Sequence, residues 1–201
     1  MKLYYTSGAC SLSPRIVLEE AGLPYEAEAV DLKTKLTASG ADYDKISPKG
    51  YVPALILDNG ELLTEGPAIV QYVADQVPEK NLVPANGTLA RYHVQEWLNF
   101  IGTELHKSCS PFFNPASGDT WRAAATENLQ RRLAYVNAEL EGKVYLMGDE
   151  FSVADAYLFT TLKWMGFIHF DISRFPHVEG FLLRVAARPA VQAALRKERA
   201  A

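Results

Sequence analysis

Tyr4-Tyr5-Thr6-Ser7-Gly8-Ala9-Cys10-Ser11-Leu12-Ser13-Pro14 is a β-type run that breaks at a small-residue turn and delivers a cysteine to the start of a helix. Residues 2–5 supply the strand. The helix is expected over about residues 14–20, with Pro14 in its first turn and Gly22 just past its end. A thiol at such a place meets unpaired backbone N–H groups and the positive end of the peptide dipoles, which favour a thiolate. Cys10 and Ser13 also have the spacing of a redox Cys-x-x-Cys whose second sulfur is a hydroxyl. A site of that kind can form a mixed disulfide but cannot resolve it internally. A small residue packed into a tight turn is the other reading of Cys10.

Outward from this stretch the first eighty residues alternate strand and helix. Residues 25–30 offer a second strand, closing a β-α-β unit whose two strands should be parallel. Residues 31–47 are polar and read as a loop carrying a short helix. A third strand follows over residues 52–57, then Asp58-Asn59-Gly60 as a hairpin turn and residues 61–64 as the returning strand. Gly66-Pro67 opens a helix whose apolar stripe is Ile69, Val70, Tyr72 and Val73 and which stops before Pro78. The expectation is a four-stranded mixed sheet with helices packed on it.

Residues 78–88 have linker composition, with Pro78, Pro84, Asn86 and Gly87. Helical periods then take over: Val94, Trp97, Leu98, Ile101 and Leu105, and again Leu129, Leu133, Val136 and Leu140. Further helices are expected over residues 153–167, 175–187 and 190–199. Strands first and helices afterwards predict an α+β unit over residues 1–81 and a separate all-α domain over residues 87–201.

The chain has 201 residues, 48% hydrophobic and 22% charged, as expected of a globular enzyme-sized protein. A net charge of −4 without a polybasic run gives no reason to expect nucleic acid. Two cysteines are too few for a disulfide framework and suit a reducing compartment. Strand-like sequence follows Met1-Lys2 directly, so no signal peptide is expected, and the longest apolar run carries Lys163 and His169. No membrane association is expected, and the location expected is cytoplasmic.

Three further groups of residues bear chemistry. Lys49-Gly50-Tyr51-Val52-Pro53 puts a proline at the first position of a strand. If that bond is cis, the Val52 backbone is open to an added strand; a trans proline at a strand edge is the alternative. Thr64-Glu65-Gly66-Pro67 places a carboxylate before a helix N-terminus, offering Glu65 to an ammonium and the Gly66 N–H to a carboxylate, or Glu65 as a helix-start charge. Asn99, Thr103 and His106 share one helix face at roughly 100° per residue, as a polar surface or as a site. Ser152-x-x-Asp155 ahead of an apolar helix reads as a capping box, hence structural.

Taken together, these pieces resemble the cytosolic glutathione S-transferases, specifically the bacterial beta class. The resemblance runs over essentially the whole chain. It rests on Gly8-Ala9-Cys10-Ser11-Leu12, Ser47-Pro48-Lys49-Gly50, Val52-Pro53, Thr64-Glu65, Thr103-Glu104-Leu105-His106-Lys107 and Phe151-Ser152-Val153-Ala154-Asp155-Ala156-Tyr157. It implies a thioredoxin-like N-terminal domain, an all-helical C-terminal domain and a homodimer. It implies an enzyme that joins the glutathione thiolate to hydrophobic electrophiles, with glutathione as co-substrate and no metal.

By the same resemblance Cys10 lies beside the glutathione sulfur, Lys35 binds the glycyl carboxylate, and Val52 ahead of a cis Pro53 pairs with the cysteinyl backbone. Glu65 and Gly66 hold the γ-glutamyl end. Asn99, Thr103, Glu104, Leu105 and His106 come from the first helix of the second domain, with Thr103 and Glu104 reaching across a dimer and His106 donating near the sulfur. Position 66 is Gly where many relatives carry Ser or Thr, so a side-chain hydroxyl contact is absent. Tyr5 falls near the catalytic tyrosine of the animal classes and is left outside the catalytic set. Phe112, Phe113, Trp164 and Phe167 are candidates for an electrophile pocket or for the core. Cys109 reads as buried packing. Thiol-disulfide exchange or reductive dehalogenation through Cys10, and non-catalytic ligand binding, are the alternatives to conjugation.

Overall fold

A computed structural model describes residues 1–199 and divides the chain into two compact units. Among the described residues the first comprises Met1–Val83 together with 188–199; the second is Pro84–Ala187.

The first unit is built on β1 (Lys2–Tyr5), α1 (Leu12–Ala21), β2 (Glu26–Asp31), β3 (Leu36–Thr37), α2 (Tyr43–Ile46), β4 (Ala54–Ile56), β5 (Leu62–Thr64) and α3 (Gly66–Asp75). Its sheet has the order β3-β2-β1-β4-β5. β1 and β2 run parallel with Leu3 opposite Ala27, and the remaining pairings are antiparallel, with Leu3 opposite Leu55 and Leu55 opposite Leu63. This is the thioredoxin-like mixed sheet, but with five strands where the sequence predicts four. The extra one, β3, lies in the polar stretch read as a loop. Two residues are too short for an alternating pattern to register, and its pairing of Val30 with Thr37 is set by a turn that includes Lys35 at φ 58°.

Local signals account for the other boundaries. Gly22 closes α1 at φ 68°, its N–H donating to the carbonyls of Glu19 and Leu18. The hairpin after β4 turns at Asp58-Asn59-Gly60, and the Gly60 N–H donates to Leu57 O at 2.9 Å. Leu3, Ala54 and Leu55 of the sheet are fully buried, as are Ile16 and Val17 of α1 and Ile69, Val70 and Val73 of α3.

A short 3₁₀ turn (Pro78–Lys80) leads to the second unit, which holds α4 (Leu89–Phe100), a π-helical segment (Ile101–His106), α5 (Lys107–Phe113), α6 (Asp119–Glu139), α7 (Val153–Phe167) and α8 (Pro176–Ala186). α7 is buried on nearly every side, which accounts for its mostly apolar sequence. Among the described residues no helix is long and apolar enough to cross a membrane.

The closing helix, α9 (Pro189–Arg199), was expected in the second domain but packs against α1 of the first unit. Side chains fix it there. Arg188 grips the Glu20 carboxylate through Nε at 2.6 Å and Nη2 at 3.0 Å, and Lys197 pairs with Glu19. The buried Glu198 carboxylate accepts from the Gly8 N–H at 3.1 Å.

Candidate functional site

In the first unit Cys10 stands one residue ahead of the Ser11 cap of α1, as the sequence predicts, in a turn closed by Leu12 N–H to Ala9 O and Ser13 N–H to Cys10 O. Ser11 does not cap the helix with its side chain. Its buried hydroxyl bridges the Thr6 N–H and Thr6 O, each at 3.2 Å, while Thr6 Oγ1 donates to Val30 O at 2.8 Å. The loop that carries the thiol is therefore tied to β2 as well as to α9. Ser13 is buried and its hydroxyl makes no hydrogen bond, so it belongs to the packing of α1.

Cys10 is half-buried and donates from Sγ to the Val52 carbonyl at 3.3 Å. The Val52-Pro53 bond is cis, the form the resemblance implies. Thiol and strand edge thus converge at the C-terminal end of β1 and the N-terminal approach to β4.

Lys35 curls onto the loop before Val52, its ammonium donating to Gly50 O at 2.5 Å. Glu65, ahead of α3, has φ 68°, a backbone region that a non-glycine residue adopts at a cost and that clusters at binding sites. Its Oε1 accepts from Lys49 Nζ at 2.5 Å and from the Tyr51 hydroxyl at 2.7 Å. These bonds to the carboxylate raise the pKa of both partners. A Cβ built on Gly66 would meet nothing nearer than Pro53 Cγ at 3.8 Å, an ordinary contact. A small side chain at position 66 would therefore rest against Pro53 without a clash.

In the second unit the reading of Asn99, Thr103 and His106 as one α-helical face needs correction. The Lys107 N–H bonds to Gly102 O, five residues back, so residues 101–106 form a π turn that rotates His106 away from its α-helical direction. Thr103 Oγ1 donates to Asn99 O, and Asn99 Nδ2 to Gln95 O. Glu104 pairs with Arg132 at 2.6 Å. Leu105, at 1% exposure, gives its side chain to the core.

His106 lies at the end of the π turn, its Nδ1 2.7 Å from the Tyr157 hydroxyl on α7 and its ring edge-on to Trp164 at 4.7 Å. Burial, assisted by Lys107, pushes its pKa down to about 4, so the imidazole is neutral at pH 7. Trp164 also meets Phe113 at 5.7 Å, while Phe167 is 67% exposed. Cys109 is fully buried in the core, and burial pushes its thiol up to about 12. A separate cavity of about 490 Å³ is lined by Trp97, Phe100, Tyr135 and Met147, among others. Of the candidate site residues named from the sequence, none lines it.

Sequence reading missed Lys49 and Tyr51 on Glu65, and Tyr157 on His106. The first two adjoin a quoted motif and were within reach. Tyr157 lies 51 positions from its partner, beyond any local signal.

Residues 8–76 match the family model of the glutathione S-transferase N-terminal domain, and residues 86–189 that of the C-terminal domain. The chain belongs to the glutathione S-transferase family. It is 44% identical over 198 residues to glutathione S-transferase GstA of Escherichia coli O157:H7, covering 98% of each chain. The solved ternary complex of BphK, a bacterial member, matches with TM-score 0.98 and 59% identity over 99% of this chain and 100% of that one. A beta-class enzyme of Sphingomonas chungbukensis matches with TM-score 0.95 and 45% identity over 98% of both. This protein is accordingly a bacterial beta-class transferase, and glutathione is its co-substrate.

Proposed function

We propose that the protein conjugates glutathione to a hydrophobic electrophile in the cytoplasm, acting as a homodimer. The observation that carries the site is the convergence of Cys10 Sγ on the Val52 carbonyl, beside the cis Val52-Pro53 bond. Lys35 serves the glycyl carboxylate, Val52 the cysteinyl backbone, and Glu65 with the Gly66 N–H the γ-glutamyl head group. In this reading the ligand's ammonium competes with Lys49 and Tyr51 for Glu65, while Asn99, Thr103, Glu104, the Leu105 backbone and His106 complete the binding.

The thiol of glutathione loses its proton to water, and the thiolate pair attacks the electrophilic carbon. A C–S bond forms as the leaving group departs with its own electron pair. The protein contributes position and electrostatics: it holds the sulfur near the carbon and stabilises the thiolate with N–H groups and the neutral His106 ring. Phe113 and Trp164 offer the electrophile an aromatic wall.

Steady-state turnover with a chloronitrobenzene, a glutathione mixed disulfide and a chlorinated aromatic acid tests the reading. Conjugation of the first should dominate. Turnover confined to the disulfide would assign the protein to thiol exchange, and chloride release from the acid alone would assign it to dehalogenation.

A further inference from the structure

Tyr157 ends the Phe151–Tyr157 stretch that carries the family resemblance and has no role in the proposed site, yet its hydroxyl lies 2.7 Å from Nδ1 of the His106 ring. We infer that Tyr157 is a positioning residue: its O–H donates to Nδ1 of His106 and holds the imidazole in the tautomer protonated at Nε2. This rests on the reading that His106 serves the glutathione site. Nε2–H is then the ring's hydrogen-bond donor.

Three observations carry the inference. Tyr157 is 4% exposed, so its hydroxyl is a committed group rather than a solvated one. The π turn ending at His106 brings the ring to α7, and Gly102 of the same turn packs beside the Tyr157 hydroxyl, a Cβ there standing at an ordinary contact distance of 3.6 Å. Trp164, seven residues and so two turns further along the same helix face, meets the imidazole edge-on at 4.7 Å, so two residues of α7 fix the ring. The direction of the bond follows from the groups. A phenol is the stronger donor and an imidazole nitrogen the stronger acceptor, so O–H to N is the favoured arrangement. Because burial keeps the ring neutral at pH 7, its two nitrogens have opposite roles, and the bond at one decides the proton on the other.

The test combines spectroscopy with kinetics. In ¹⁵N–¹H spectra of the wild-type enzyme labelled at histidine, His106 should show a protonated Nε2 and an unprotonated Nδ1. Tyr157→Phe should give a mixture of tautomers. With a chloronitrobenzene its kcat should fall by about tenfold, with the KM for glutathione little changed. His106→Gln should lower turnover at least as much, and the double variant should be no worse than His106→Gln alone. A wild-type spectrum with Nδ1 protonated overturns the inference whether or not Tyr157→Phe folds. So does wild-type kcat in Tyr157→Phe beside an impaired His106→Gln. Full turnover in His106→Gln instead removes His106 from the site, and the inference falls with it.

Discussion

The thiol of Cys10 donates to the carbonyl of Val52 at 3.3 Å, joining the turn after β1 to the residue before the cis proline. In the proposed reading this strand edge holds the cysteinyl backbone of glutathione, with its sulfur beside the protein's own. On that reading the attacking sulfur in conjugation belongs to glutathione, and Cys10 is a neighbour able to form a mixed disulfide with it. Ser13, buried on α1, cannot expel a bound glutathione as a second cysteine would. Cys10→Ala should therefore abolish glutathionylation, read as intact mass with and without reductant, while retaining a substantial part of conjugation with a chloronitrobenzene. Conjugation at the uncatalysed rate with glutathione still bound would make Cys10 the central catalyst.

Gly66 opens α3 without filling the space its side chain could occupy. A serine there fits against Pro53 at ordinary contact and, if position 66 holds the γ-glutamyl head group as proposed, supplies it with a hydroxyl. One added hydrogen bond contributes about 0.5–1.5 kcal/mol, so Gly66→Ser should tighten glutathione binding roughly two- to tenfold. Titration calorimetry decides it. An unchanged or weaker dissociation constant would place the head group away from position 66.

His106 makes the stability of the fold depend on pH. Its pKa is near 6.5 in an unfolded chain and about 4 in the fold, because burial disfavours the charged ring. Below pH 6.5 the unfolded chain takes up a proton that the native one refuses. Stability is therefore complete above about 6.5 and falls as pH drops toward 4, by roughly 3 kcal/mol in all. Denaturant melts at pH 7.5 and 4.5 should show a larger fall for the wild type than for His106→Gln. Parallel falls would mean that His106 is not buried as a neutral ring.

What the sequence shows of this protein is what neighbouring residues settle among themselves. Gly22, the Asp58-Asn59-Gly60 turn and the Gly66-Pro67 start each act within a few residues, and each lies where its motif predicts. β3 escapes because two residues carry no period. The π turn escapes because its five-residue hydrogen bond leaves no mark in composition, and with it goes the true direction of His106. The docking of α9 depends on Glu198 meeting Gly8 and Arg188 meeting Glu20, contacts 190 and 168 positions apart. The Cys10 turn is legible as a thiol site, but its anchoring through Ser11 and Glu198 is tertiary.

Asp155 is a buried carboxylate with a structural task, as the capping-box spacing from Ser152 predicts. Its carboxylate is fully buried and accepts from the Leu146 N–H at 2.9 Å, the Ser152 N–H at 2.8 Å and the Ser152 hydroxyl at 2.9 Å. The capping box predicted at Ser152 is present, and it also ties the turn after α6 to the start of α7. Ser152→Ala removes one of these donors and should cost about 0.5–2 kcal/mol. Asp155→Ala strands two buried N–H groups at about 1–3 kcal/mol each, so its cost should be roughly 2–6 kcal/mol. Both variants should lower the unfolding midpoint in that order while leaving the KM for glutathione where it is. A changed KM in a variant of unchanged midpoint would show instead that this carboxylate reaches the ligand.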